Sequence, residues 1–391
     1  MKFLMMMALL LPFTVSAKPA VEILDHHYGD HDRQVFDLWL PKQKRNKKAP
    51  LVIFIHGGGW SVGSKDEFRK QQKLIRKYNR EGIAVAAINY RFLKHAPLQT
   101  IMREDIAGFV QFMRYHANFY NIDPNLIMPY GVSAGGSASL WLATHDDIAD
   151  PNAEDPIKRM SSRVTAAGHV NAQVSYDYFV WYQFFGKEIT DHFMKDQVWS
   201  RYHFDSFEDL QTERGKAVRK DLDMFGNMDA GDAPILFWSS LDDDPTRDAN
   251  HFIHSPNHAR LLSDRAHTVG LNVETYVRAD GTILKDPHKT LFDYFTRKIE
   301  EIKDGKVAFS PETFFKKAGF QPTYTFHHYR NYRISGAELK KRLYAHAQHR
   351  RKHHHNQHGH HKEHEHIHDD SVFVSKTRNK EDKVDFASKM N

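Results

Sequence analysis

Short apolar runs recur along the chain, each followed by a stretch in which apolar side chains return every three or four positions. The runs at 34–40, 51–56, 83–90, 126–131, 164–170, 234–240 and 272–279 read as strands. Most are continuously hydrophobic rather than alternating, the pattern of strands buried on both faces in a parallel sheet. Helical spacing follows at 66–80, 100–116, 135–144, 256–269 and 287–302. Strands alternating with helices predict an α/β domain, a mainly parallel central sheet with helices on both faces. The alternation breaks between about Tyr176 and Asp232, where the run YDYFVWYQFF marks an aromatic-rich insertion covering one end of the sheet as a small cap.

The two ends have a different character. Residues 1–17 carry Lys2, an apolar run and Val15-Ser16-Ala17, which reads as a cleavable secretory signal peptide and points to a periplasmic or secreted protein. The run is short for a bilayer span, and no later stretch is long and apolar enough, so no stable membrane insertion is expected. The folded α/β domain is expected to fill 18–333. Residues 334–391 contain RRKHHHNQHGHHKEHEHIHDD, a histidine-rich tail with few aliphatic side chains, expected to be disordered. Neutral imidazoles packed this densely are candidate ligands for transition-metal ions.

Composition narrows the chemistry. A net charge of +6, with 55 basic against 49 acidic residues among 391, is too mild to argue for nucleic acid. The chain has no cysteine, which excludes a thiol nucleophile, a disulfide framework and a thiolate metal site.

Two motifs remain. In GVSAG, Ser133 follows an apolar strand and precedes a helix-like run. A serine at such a turn is thrust out at the carboxyl end of the sheet, and Gly131 and Gly135 leave room for strand and helix to cross closely. In HGGGW, His56–Trp60, bare backbone amides follow another strand. The amides of Gly58, Gly59 and Ala134 form a candidate oxyanion hole. No GxGxxG and no Lys-Ser/Thr follows the glycines, so phosphate cradling is the poorer reading.

HGGGW followed by GVSAGGS resembles the α/β-hydrolase fold, in its esterase/lipase branch with hormone-sensitive-lipase-like carboxylesterases and acetyl-xylan or feruloyl esterases. The resemblance covers roughly Tyr28 to Lys303. It implies a serine hydrolase whose acid and histidine follow the nucleophile in that order. After the strand at 234–240 stand Asp242, Asp243 and Asp244, with Asp243 favoured over Asp242 as the acid. After the strand at 272–279, His288 is the histidine in the loop before the last helix, in a DPHKT setting that departs from the family's GHGF-like one. The expected site is therefore Ser133, Asp243 and His288, with Trp60 against the substrate and no metal or other cofactor. The reaction would be hydrolysis of carboxylic esters, with short-chain or carbohydrate-linked acyl groups favoured by a compact cap. Hydrolysis of an amide or formamide, and metal binding through the tail, are the alternatives.

Overall fold

The computed structural model describes residues 21–42 and 47–304, the side chains of 195–197 excepted. The expected signal peptide, the end of the expected domain after 304 and the histidine-rich tail lie outside the described residues.

Eight strands form one sheet: β1 (Val21–His27), β2 (Val35–Leu40), β3 (Ala49–Ile55), β4 (Ala84–Ile88), β5 (Ile122–Val132), β6 (Ala167–Val170), β7 (Ile235–Ser239) and β8 (Val273–Val277). Their spatial order is β1-β2-β4-β3-β5-β6-β7-β8. β2 is antiparallel to both β1 and β4, and every other pairing is parallel. Every residue of β3, β4 and β7 is buried, which explains their unbroken apolar sequences. The sequence reading missed β1. As an edge strand it buries Ile23 alone, so VEILDHH carries neither an apolar run nor a regular alternation.

The helices between β3 and β5 are α1 (Asp66–Arg69), α2 (Gln72–Arg80), α3 (Leu98–Thr100), α4 (Gly108–Tyr115) and α5 (Ala117–Tyr120). The single helix expected over 66–80 is broken at Lys70–Gln71, and Phe68 on one side and Ile75 and Tyr78 on the other are all buried. The helix expected over 100–116 includes a π-helical stretch, Ile101–Ala107. α6 (Ala134–Thr144) follows β5 and is buried along its whole length. Between β6 and β7 lie α7 (Tyr178–Phe185), α8 (Lys187–Val198), α9 (Glu213–Asp221) and two 3₁₀ turns, Trp199–Tyr202 and Glu208–Gln211. α10 (Ala249–Ile253) and α11 (Pro256–Val269) separate β7 from β8, and α12 (Pro287–Lys303) ends the described residues. α11 starts sharply because the Ser255 hydroxyl accepts from the Asn257 amide and Pro256 sits at its first position. No helix among the described residues is long and apolar enough to cross a membrane.

Strand order fixes where chemistry can occur. The chain leaves β3 for β4 on one side, then crosses back to β5 on the other. Loops leaving β3 and β5 therefore diverge and open a crevice at their carboxyl ends. Ile55, the last residue of β3, pairs with Gly131 of β5. That register sets the HGGG segment beside Ser133.

Candidate active site

Ser133 lies between β5 and α6 with φ 54° and ψ −122°. A non-glycine residue is costly there, and such strain persists only where the surroundings dictate it. The surroundings here are tight. A Cβ on Gly135 would stand 2.0 Å from the Ile55 carbonyl oxygen, and one on Gly131 would stand 2.3 Å from the same atom. Only glycine lets α6 pass so close over β3, and this crossing holds the hydroxyl out of the sheet.

The glycine loop is fixed from behind. His56 is fully buried, and its ring stacks on Tyr90 with centroids 4.3 Å apart. Its Nδ1 lies 2.7 Å from the Gly57 carbonyl and its Nε2 3.4 Å from the Arg33 guanidinium. A neutral ring protonated on Nδ1 satisfies both partners, and burial pushes its pKa down to about 4. Tyr90 adds a hydrogen bond from its hydroxyl to the His56 carbonyl at 2.8 Å. Gly58 has φ 105°, and its carbonyl accepts from the amides of Ser61 and Val62, which turns the loop back on itself. Gly57 lies against Ser133, since a Cβ there would be 3.4 Å from the serine Cβ.

Gly59, Trp60 and Ser133 share one small cavity of about 50 Å³, walled by aromatic side chains of the segment between β6 and β7. Trp60 is buried, and its indole N–H donates to the Tyr176 hydroxyl at 2.8 Å. Tyr176 in turn donates to Gln173 Oε1, which also accepts from Ser137 of α6. The wall is thus tied to the helix that follows Ser133.

The imidazole at Ser133 is His254. Its Nε2 lies 2.7 Å from the serine Oγ. Its Nδ1 faces two oxygens of Asn250, the side-chain Oδ1 at 2.9 Å and the backbone carbonyl at 3.1 Å. A backbone carbonyl can only accept, so Nδ1 carries the proton and the lone pair of Nε2 points at the serine hydroxyl. Desolvation lowers the pKa of His254 and the nearby His251 lowers it further, while the hydrogen bond to Asn250 raises it.

The expected Ser133–His288–Asp243 relay is not what the structure assembles. Nδ1 of His288 lies 3.0 Å from the Tyr130 hydroxyl, and the ring packs against Phe54 and Phe68. Asp286, the N-cap of α12, accepts from the Lys289 amide and so begins the helix with His288 inside its first turn. Asp243 is exposed at the surface, where its carboxylate pairs with Arg260 at 2.6 Å. The loop bearing Asp242 and Asp244 sends neither carboxylate to a histidine: Asp244 pairs with Arg247. Sequence reasoning missed His254 and Asn250. The signal available was a short helix capped by Asp248 and stopped by Ser255-Pro256, which leaves His254 at its end on the carboxyl side of β7. Among the described residues no group of three or more His, Asp or Glu could hold a metal ion.

Comparison with known proteins matches the family described as BD-FAE over residues 36–184, a span that holds HGGGW and Ser133 and ends before Asp243, His254 and His288. A carbohydrate esterase from gut microbiota aligns with TM-score 0.52 at 16% identity, covering 72% of this chain and 99% of that one. An acetyl ester-xyloside bifunctional hydrolase from Caldicellulosiruptor lactoaceticus aligns with TM-score 0.52 at 17% identity, covering 73% of this chain and 98% of that one. The chain has the α/β-hydrolase fold. In sequence, this α/β-hydrolase-fold chain is 30% identical over 139 residues to the "Probable isoprenylcysteine alpha-carbonyl methylesterase ICMEL1" of Arabidopsis thaliana. It is 30% identical over 114 residues to the Esterase LipC of Mycobacterium tuberculosis. These matches take in 36% and 29% of the chain, and 28% and 27% of the two relatives.

Proposed function

We propose that this protein is a serine hydrolase of carboxylic esters, in which Ser133 is the nucleophile and His254 the general base. One observation carries the reading: a strained serine with its Oγ 2.7 Å from an imidazole nitrogen whose tautomer leaves a lone pair facing it. A hydroxyl is a weak nucleophile until a base takes its proton. His254 Nε2 would accept that proton as Oγ attacks the ester carbonyl. The amides of Gly58, Gly59 and Ala134 would receive the oxyanion, aided by the N-terminal end of α6. His254 would then protonate the departing alcohol, and a water would repeat the sequence on the acyl-serine.

The third member of this relay is an amide rather than a carboxylate. Asn250 fixes the tautomer and orientation of His254 as the aspartate of the serine triads does. It supplies no negative charge to the imidazolium, so a low pKa at His254 is the expected consequence. Names of similar proteins support ester substrates, and the small cavity suits short acyl groups such as acetyl, including those linked to carbohydrate. Export is part of the proposal on the strength of residues 1–17.

The test uses the full chain. A fluorophosphonate probe should label Ser133, and p-nitrophenyl acetate should be hydrolysed at a rate that collapses in Ser133→Ala. Full activity in that variant would reject the nucleophile.

A further inference from the structure

We propose that Arg201 is a substrate-binding residue that selects esters carrying a carboxylate, a reading that rests on Ser133 acting as an ester-cleaving nucleophile. Arg201 lines the same cavity as Ser133 and Gly59. Its Nε is buried and makes no hydrogen bond, and among the described residues no carboxylate pairs with its guanidinium. An arginine N–H removed from water without a partner is a costly arrangement, since buried polar groups in proteins are normally hydrogen-bonded.

The neighbouring polar side chains pair with other groups and not with Arg201. Tyr176 donates to Gln173 and accepts from Trp60. Tyr202 donates to the Tyr176 carbonyl, and Trp181 donates to the Ser175 carbonyl at 2.8 Å. Of the acids on this segment, Asp177 pairs with Arg219 and Asp191 with Lys187. No aspartate or glutamate is among the described residues lining the cavity. What remains is an apolar, aromatic chamber with a nucleophile and an unpaired planar cation on its wall. The fork of N–H groups on arginine matches a carboxylate in two parallel hydrogen bonds, and the apolar wall would strengthen that pair. The substrate class is therefore an ester whose acid or alcohol half bears a carboxylate, as an acetylated uronic-acid sugar does.

The experiment compares kcat/KM for matched esters, each divided by its rate with hydroxide. On the acyl side the pair is p-nitrophenyl butyrate and p-nitrophenyl hemiglutarate. On the alcohol side it is methyl 4-acetoxybenzoate and 4-acetoxybenzoate. The wild-type enzyme should favour the anionic member of at least one pair by about tenfold or more, the scale of a charge-assisted hydrogen bond, and which pair responds tells which half faces Arg201. Added salt should shrink that preference, and Arg201→Met should bring the ratio close to one, with Arg201→Lys between. Turnover of both neutral esters with no anionic preference in the wild type overturns the inference and leaves the esterase reading standing. So does a preference that Arg201→Met keeps. Absence of turnover on every ester, with no labelling of Ser133, rejects both.

Discussion

Ser133 and His254 are separated by 121 positions in sequence and meet at 2.7 Å through Oγ and Nε2. In the proposed mechanism that contact would make the β7–α11 connection the source of the base, rather than the loop before α12. Removing a general base typically costs about 10²–10⁴ in rate. His254→Ala should therefore lower kcat on p-nitrophenyl acetate by about that much, with a folded protein by circular dichroism. His288→Phe should change kcat only a few-fold and act on stability instead, because it breaks the bond to Tyr130 beneath the sheet. A dead His288 variant beside an active His254 variant would reverse the assignment.

The pH profile follows from the environment of His254. Burial keeps its pKa below the ordinary value of 6.5. The base works only when neutral, so a lowered pKa extends activity toward acid, and the acid limb of kcat/KM should have its midpoint below 6.5. Asn250→Asp would put a carboxylate against Nδ1 and favour the imidazolium. The midpoint should then rise by about one unit or more. An unmoved limb in that variant would show that residue 250 does not orient the base.

These particulars explain what the sequence could reveal. The Ser133 elbow and the HGGG loop are local devices: a strand, a turn that needs small residues and a helix, all within one short stretch. Their side-by-side placement follows from the parallel pairing of β3 with β5, which continuous apolar runs announce. His254 has no such local signature. It is one of 28 histidines, its role is a tertiary contact, and only the fold brings the end of α10 over β5. His288 sat where chain order suggested a base, but a helix cap drew it into a packed position against Phe54 and Tyr130. The aspartates after β7 misled for a related reason. An Asp-rich turn looks the same whether it faces a histidine or, as Asp243 does, a surface arginine.

The elbow also sets a stability test. A methyl at Gly135 would enter the space of the Ile55 carbonyl, a backbone atom that cannot swing aside. Overpacking of this kind costs about 1–3 kcal/mol, and a domain of this size loses about 2–4 °C of Tm per kcal/mol. Gly135→Ala should therefore lower Tm by several degrees and reduce fluorophosphonate labelling, since relief requires α6 to move with Ser133. Gly108→Ala is the matched control. It too replaces a helical glycine without a positive φ, yet its Cβ would come no nearer than 3.8 Å to the Arg103 carbonyl oxygen. Equal Tm losses in the two variants would show that the close crossing contributes nothing beyond backbone preference.

Three histidines buried behind the site make the fold sensitive to acid. His56 and His169 are held down to about 4 and His258 to about 3, in each case chiefly by burial. The hydrogen bonds of His56 and His258 require neutral rings. His258 donates from Nε2 to the Phe252 carbonyl and accepts at Nδ1 from the Val174 amide, while Nδ1 of His169 is buried without a partner. Between the unfolded value near 6.5 and these folded values, the unfolded chain binds more protons than the native one. Stability is then complete above about pH 6.5 and is lost as pH falls toward 4, each ring contributing up to about 1.4 kcal/mol per pH unit. Thermal denaturation followed from pH 7.5 to 4.5 should show Tm flat at the upper end and falling steadily below 6.5. His258→Gln, which keeps a donor and cannot be protonated, should flatten that fall even if it lowers Tm at neutral pH. A slope unchanged by the substitution would assign the acid sensitivity to other groups.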